Sequence, residues 1–133
     1  MDGYIATWIL APELSIYSAG ELPKSAIYQI TEPATGEVLI SLSWVAADNT
    51  QQEVSYGGRS DGSRQESTAA GVSHVSFTRI DSQTLDSEAF DGDKTVSYAR
   101  RSISDDGNIM STVQEMFIDG VSFRNFQVYR RQI

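Results

Sequence analysis

DSQTLDSEAFDGDKTVSYARRSISDDGNIMSTVQEMFIDGVSFRNFQVYRR, residues 81–131, decides the fold. Apolar and polar residues alternate through it, and Asp-Gly pairs interrupt it at Asp91-Gly92, Asp106-Gly107 and Asp119-Gly120. Alternation of period two is the pattern of a strand. Asp-Gly suits a type I′ hairpin turn, whose two central residues both need φ > 0. The stretch therefore predicts a ladder of antiparallel hairpins. Working outward, a fourth pair, Asp61-Gly62, and breaks at 33–36, 48–49 and 81–82 divide the remainder into segments rich in Val, Ile, Thr, Tyr and Phe. The predicted strands are 5–10, 26–32, 37–47, 51–57, 72–80, 83–90, 93–104, 108–118 and 121–131. A helical turn is expected only over 12–19, where Pro12 takes the first helical position, and 60–71 reads as a loop. A meander of eight to ten strands would leave two open edges, which closure removes. The expected fold is all-β: an antiparallel up-and-down barrel with little helix, its first strand paired with its last. A β-sandwich is the second architecture.

Composition narrows the function. A chain of 133 residues with 40% hydrophobic content forms one cored domain, 1–133. Eighteen Asp plus Glu against ten Lys plus Arg give a net charge of −8, which repels phosphate backbones and anionic lipid. The expectation is no nucleic-acid partner and no membrane partner. Without Cys and with one His there is no thiolate or His-based metal cage and no cysteine nucleophile; no metal and no cofactor are expected. Met1-Asp2-Gly3 lacks the basic and apolar regions of a secretory signal. As written the chain reads as cytoplasmic, with secretion open to it if the sequence is a mature form.

Simple two-residue turns would put cross-strand partners on one face. One face then collects Val75, Phe77, Arg79, Thr84, Asp86, Glu88, Phe90, Arg101, Ile103, Met110, Thr112, Gln114, Met116, Phe123, Asn125, Gln127 and Tyr129. The other collects His74, Ser76, Thr78, Ile80, Leu85, Val96, Tyr98, Arg100, Ile109, Ser111, Val113, Glu115, Phe126 and Val128. Neither is purely apolar, as suits a barrel enclosing a small-molecule cavity. The first set is taken as interior.

Several residues there carry chemistry. Asp86 and Glu88 lie about 6.5 Å apart along a strand. Desolvated, they would raise one another's pKa and supply a general acid or base; alternatively Asp86 pairs with Arg79 at the rim and Glu88 is solvated. Arg79 and Arg101 inside a barrel need partners, supplied by Asp86 or by an anionic or carbonyl-bearing ligand. Thr112, Asn125, Gln127 and Tyr129 form a neutral donor and acceptor set, with Gln114, Phe77, Met110 and Phe123 on the same face. Trp44 shares a face with Val38, Ile40 and Leu42, as core or cavity wall. His74 points outward. The run Gly57–Gly62, GGRSDG, lacks the Lys and the helix of a phosphate loop and reads as a flexible loop at the barrel mouth.

Trp8-Ile9-Leu10, then Gly20 and Pro23-Lys24-Ser25, then Thr78-Arg79-Ile80-Asp81, Arg100-Arg101-Ser102-Ile103-Ser104-Asp105-Asp106-Gly107, and Asn125 with Val128-Tyr129 resemble, in order, an uncharacterised bacterial lipocalin-like family of calycin type. The resemblance implies a ligand-binding barrel whose first-strand Trp8 closes the floor. Gln127-Val128-Tyr129 is also similar to the last strand of intracellular lipid-binding proteins. The 15 residues 11–25 between the first two long strands, however, are too few for that family's two-helix lid, so the broader resemblance is kept.

The function expected first is binding of a small hydrophobic or amphipathic molecule, an apolar body with a polar head, in a central cavity lined by Trp44, Phe77, Arg79, Arg101, Met110, Thr112, Gln114, Phe123, Asn125, Gln127 and Tyr129. The alternative is an enzyme that cyclises or isomerises an unsaturated substrate by orientation and desolvation, without metal or covalent nucleophile. A third reading is an oligomeric structural protein with a filled barrel; a homodimer is the assembly open to the chain.

Overall fold

The computed structural model describes residues 2–18, 20–68 and 71–132. Its strands are β1 (Ala6–Leu10), β2 (Ile16–Tyr17), β3 (Ser25–Thr31), β4 (Glu37–Val45), β5 (Gln51–Arg59), β6 (Gln65–Glu66), β7 (His74–Asp81), β8 (Thr84–Asp91), β9 (Lys94–Ile103), β10 (Ile109–Ile118) and β11 (Val121–Arg131). The nine long strands fall where the alternation places them. All pairs are antiparallel, in the order β5-β4-β3-β1-β11-β10-β9-β8-β7-β6, and β2 takes over from β1 along β11. First and last strands pair, Trp8 opposite Arg131 and Leu10 opposite Tyr129.

The remaining seam lies between β5 and β6–β7. At one end the backbone fastens it: Arg79 N donates to Ser60 O at 3.0 Å and Gly62 N to Phe77 O at 2.8 Å. Next along, the Gln65 amide does what a neighbouring strand would do. Its Oε1 accepts from Arg59 N at 2.8 Å and its Nε2 donates to Arg59 O at 3.0 Å. A Cβ on Gly58 would occupy the place of that amide, so a larger residue there would displace it. From Gly58 toward Gln51 no strand pairs with β5 on this side among the described residues.

These contacts correct three local expectations. The run Gly57–Gly62 is the end of β5 and the seam closure, not a loop at the mouth. The 60–71 segment holds β6 and an Asp61–Thr78 bridge; its residues 69 and 70 lie outside the described residues. The helical turn over 12–19 shrinks to a 3-10 turn over Pro12–Leu14, because Ile16 and Tyr17 pair with β11 instead; Ala19 lies outside the described residues.

One end of the barrel is a packed floor of Tyr4, Trp8, Ile30, Ile40, Leu85 and Met110, all buried. Trp8 closes it, its Nε1 donating to Tyr4 O at 3.1 Å.

Two bulges decide the facing. A simple turn at 81–82 would set Phe77 opposite Asp86, but a bulge between Arg79 and Asp81 sets it opposite Ser87. The facing of β8 inverts as a result: Leu85, Ser87 and Ala89 point in and Thr84 and Asp86 do not, while Glu88, beside the second bulge, still reaches the lining. Leu85, expected outside, is fully buried. Phe90 shares the outer face with His74 and is covered by the Arg64 guanidinium, 3.9 Å from its ring centroid. A second bulge, between Ala89 and Phe90, shifts the register back. From β9 onward the expected interior set holds: Arg101, Ile103, Met110, Thr112, Asn125, Gln127 and Tyr129 are buried. Val113 faces solvent, and Val128 is buried on the outside, where Ala11 N donates to its carbonyl at 2.8 Å and its N–H donates to Ser15 Oγ at 3.0 Å.

Only one of the four Asp-Gly turns has both residues at positive φ, Asp119 at 51° and Gly120 at 78°. At Asp61 and Asp106 the aspartate accepts instead from the N–H two residues on, Ser63 and Asn108, both at 3.0 Å. That arrangement sets the turn without a left-handed Asp. Asp91 ends β8 opposite Lys94, leaving Gly92 alone at positive φ.

Candidate functional site

Above the floor the barrel is hollow. The inner faces of β8 and β9 present Ser87, Ala89, Ser97 and Ala99, side chains too small to meet across the interior, and a cavity of about 580 Å³ results. That is ligand-sized. Leu42, Val54, Val75 and Phe77 give it an apolar wall, with Tyr56 stacked on Phe77 at 6.0 Å between centroids.

A polar stripe crosses the opposite wall. Arg101 on β9 stands opposite Thr112 on β10, and Thr112 opposite Gln127 on β11; all three line the cavity, as does Gln114. Arg101 is 2% exposed. Its Nε donates to Tyr28 Oη at 2.6 Å, Nη1 to Ser87 Oγ at 3.0 Å and Nη2 to Tyr56 Oη at 3.4 Å. All three acceptors are hydroxyls. The ion pairs of the described residues, Asp2–Arg79, Asp86–Arg100, Glu115–Arg124, Glu13–Arg130 and Asp61–Arg59, leave Arg101 out. Burial works against its charge, but the Tyr28 and Tyr56 oxygens outweigh burial and raise its pKa further.

Burial pushes the Tyr28 and Tyr129 hydroxyls above the usual phenol range, and Tyr17 shifts the same way for the same reason. At neutral pH these tyrosines are uncharged donors and acceptors. Tyr129 Oη donates to Gln127 Oε1 at 2.8 Å, and Gln127 Nε2 donates to Tyr17 Oη at 2.8 Å. Tyr28 meets Tyr129 edge-on at 5.3 Å. The Thr112 hydroxyl oxygen, also buried, has no hydrogen-bond partner among the described residues.

The other expected site residues are placed elsewhere. Tyr129 backs the cavity through Gln127, and Met110 belongs to the floor. Asn125 is buried, its Oδ1 accepting from Ser18 N at 2.9 Å. Trp44 is half-buried against the core, and both it and Phe123 lie outside the cavity lining. Arg79 is not interior: near the end of β7, its side chain is 47% exposed and pairs with Asp2 at 2.8 Å. Asp86 is outside as well, held at 2.8 Å by Arg100 and at 2.9 Å by the Tyr98 hydroxyl. Glu88, beside the second bulge, contributes to the lining and accepts from Thr95 Oγ1 at 3.4 Å. No desolvated carboxylate pair forms.

The sequence reading missed Tyr28, Tyr56, Ser87 and the small residues of β8 and β9. The tyrosines could have been found, since Tyr28 alternates in phase with Ala26 and Ile30 and Tyr56 with Val54.

Neither a protein-family model nor a curated protein sequence matches the chain. Among solved structures it is similar to the fluorescent protein UnaG, with TM-score 0.63 and 16% identity over 96% of both chains. It is similar to zebrafish ileal bile acid-binding protein complexed with cholic acid, with TM-score 0.58 and 8% identity over 98% of this chain and 99% of that one. It is also similar to As-p18, an extracellular fatty acid binding protein, with TM-score 0.58 and 12% identity over 98% and 96%. At these identities the likeness is one of fold: the chain shares the antiparallel β-barrel of these neighbours, which are barrels of the lipocalin and fatty-acid-binding-protein kind.

Proposed function

We propose that the protein binds an amphipathic small molecule in its barrel, the apolar body against Leu42, Val54, Val75 and Phe77 and the polar head on the stripe Arg101, Thr112 and Gln127. The observation that carries this reading is a ligand-sized cavity with a buried polar stripe on one wall and an apolar wall facing it. A barrel kept only for packing gains nothing from leaving such a void, because interiors otherwise close to crystal density. That fold neighbours are a bile acid-binding protein and a fatty acid binding protein supports it.

Ala99 sits on the cavity wall, so a large side chain there fills the space from the inside. The test is fluorescence titration with 1-pyrenebutanol, an uncharged amphipathic probe. Saturable one-to-one binding to the wild type, and a loss of at least about tenfold in Ala99→Phe with the fold intact by circular dichroism, is expected. Absence of saturable binding, or equal binding by the filled variant, would overturn the reading.

A further inference from the structure

On the β3–β4 wall exposed apolar side chains stand apart, the Gln29–Ser41 pair lying between Ile27 and Leu39. On the outer face of β8 to β11 and β2 they line up. One ladder row runs Asp86–Arg100–Val113–Phe126–Ile16 across these five strands. Val113, Phe126 and Ile16 in it are 40%, 38% and 70% exposed, and Phe117, on the same face of β10 nearer the mouth, is exposed as well. Single apolar residues on a surface are ordinary, whereas a contiguous line of them marks a contact site.

The charges around the line select what covers it. The next row toward the mouth is Tyr98–Glu115–Arg124, its β8 member Glu88 lining the cavity, and the next toward the floor is Ser102–Ser111–Val128. The charges these rows turn outward are thus two ion pairs, Asp86–Arg100 and Glu115–Arg124, both at 2.8 Å. The net charge of −8 is carried elsewhere. A cationic protein would find no unanswered acid here, and a lipid surface would desolvate both pairs and offer them nothing in return. A second copy of the same face meets apolar line with apolar line and both signs of charge with both signs.

From this arrangement we infer that the protein forms a two-fold dimer through the outer face of β10 and β11. An axis running along the strands between β10 and β11 lays each copy's Val113 on the other copy's Phe126, and each Glu115 on the other copy's Arg124, since these are ladder partners at the same height. The patch is about 19 Å wide over the five strands and about 20 Å long from Ser111 to Phe117. In plan that is roughly half of the ~800 Å² per partner of a standard complex, so the dimer is weak and reversible. The face lies on the side wall and leaves the mouth open, so the inference does not depend on what the cavity holds.

Sedimentation velocity from about 5 to 500 µM is expected to show a monomer–dimer equilibrium with a Kd between about 1 and 200 µM. Phe126→Thr and Ile16→Thr, the latter at the most exposed position of the row, should each weaken it at least about fivefold while leaving 1-pyrenebutanol affinity within about twofold. Ile27→Thr, on the far wall, should change nothing. Arg124→Glu faces acids with acids across the axis, and Glu115→Arg faces arginines with arginines. Each alone should dimerise at least about tenfold more weakly than the wild type, while an equimolar mixture of the two, in which every acid again meets an arginine, should associate at least as tightly as the wild type. A dimer indifferent to Phe126 and Ile16, or a mixture that associates no better than either variant, would overturn the inference. A wild type that stays monomeric throughout would overturn it too, and retention on phosphatidylcholine vesicles that Phe126→Thr abolishes would then assign the face to lipid.

Discussion

Arg101 and Arg100 are neighbours in the chain with opposite circumstances, and the contrast shows what a charge does on each face of a strand. Arg100 lies outside and grips Asp86 with two donors at 2.8 Å; that pair is half in solvent and contributes little to stability. Arg101 points inward to hydroxyls only. Breaking a buried ion pair usually costs about 3–5 kcal/mol, chiefly because the abandoned partner remains charged. Arg101 has no such partner to abandon. Replacing it with Met is therefore expected to change the stability of the unligated protein by no more than about 1 kcal/mol, since the freed Tyr28, Tyr56 and Ser87 hydroxyls face a cavity that admits water. Urea denaturation without ligand measures this, and a loss of about 3 kcal/mol or more would show Arg101 to be a structural cation.

At the scale of strands and turns, the hairpins are fastened by aspartates. Asp48, Asp61, Asp81 and Asp106 each accept a backbone N–H two residues ahead, at 2.8–3.0 Å. The hydroxyls of Thr50, Ser63 and Ser104, and at Asp81 the Gln83 N–H with the Thr84 hydroxyl, together with these backbone bonds lower the pKa of all four carboxyls. A carboxyl whose pKa is depressed by folding contributes stability above its unfolded value and loses it as pH falls through the folded one. The melting temperature is thus expected to stay level from pH 7 to about 5 and to fall below about pH 4. Asp106→Asn keeps the acceptor oxygen without the proton equilibrium, so its drop between pH 7 and pH 3 should be smaller than that of the wild type; an equal drop would remove Asp106 from this account. The same hairpins explain what could be read from the chain. Alternation and Asp-Gly spacing located the nine long strands, because each strand has one covered face and side-chain phase follows directly from that. The facing of β8 was illegible, because a bulge is a backbone event whose only trace near Arg79–Asp81 is the absence of a trace. Arg101, Thr112 and Gln127 emerged as one stripe because no bulge interrupts the pairing of β9, β10 and β11. Tyr28 and Tyr56 were legible in principle, and the small residues of β8 became meaningful only once that strand was turned over.

Over the whole molecule, electrostatics and topology work against each other. The net charge is −8, and the cation that would answer an anionic ligand sits at the bottom of a cavity whose lining includes Glu66 and Glu88. Closure through β1 and β11, the Gln65 amide on the seam and the packed floor leave the open end as the way in. An anionic ligand would therefore cross a negative field before it met Arg101. The field reaches about 30 Å at 0.01 M salt and about 8 Å at 0.15 M, so added salt lowers the barrier to approach without reaching the buried contact. The association rate of 1-pyrenebutanoate is expected to rise severalfold between 0.01 and 0.3 M sodium chloride, the reverse of the behaviour of a steered complex. Its dissociation rate, governed by contacts inside the cavity, should change less than twofold, and 1-pyrenebutanol should show no salt dependence in either rate. Stopped-flow fluorescence separates the two rates. An association rate for the acid that falls with salt would mean that the mouth attracts anions, and the protein would then guide its ligand by charge rather than merely hold it once arrived.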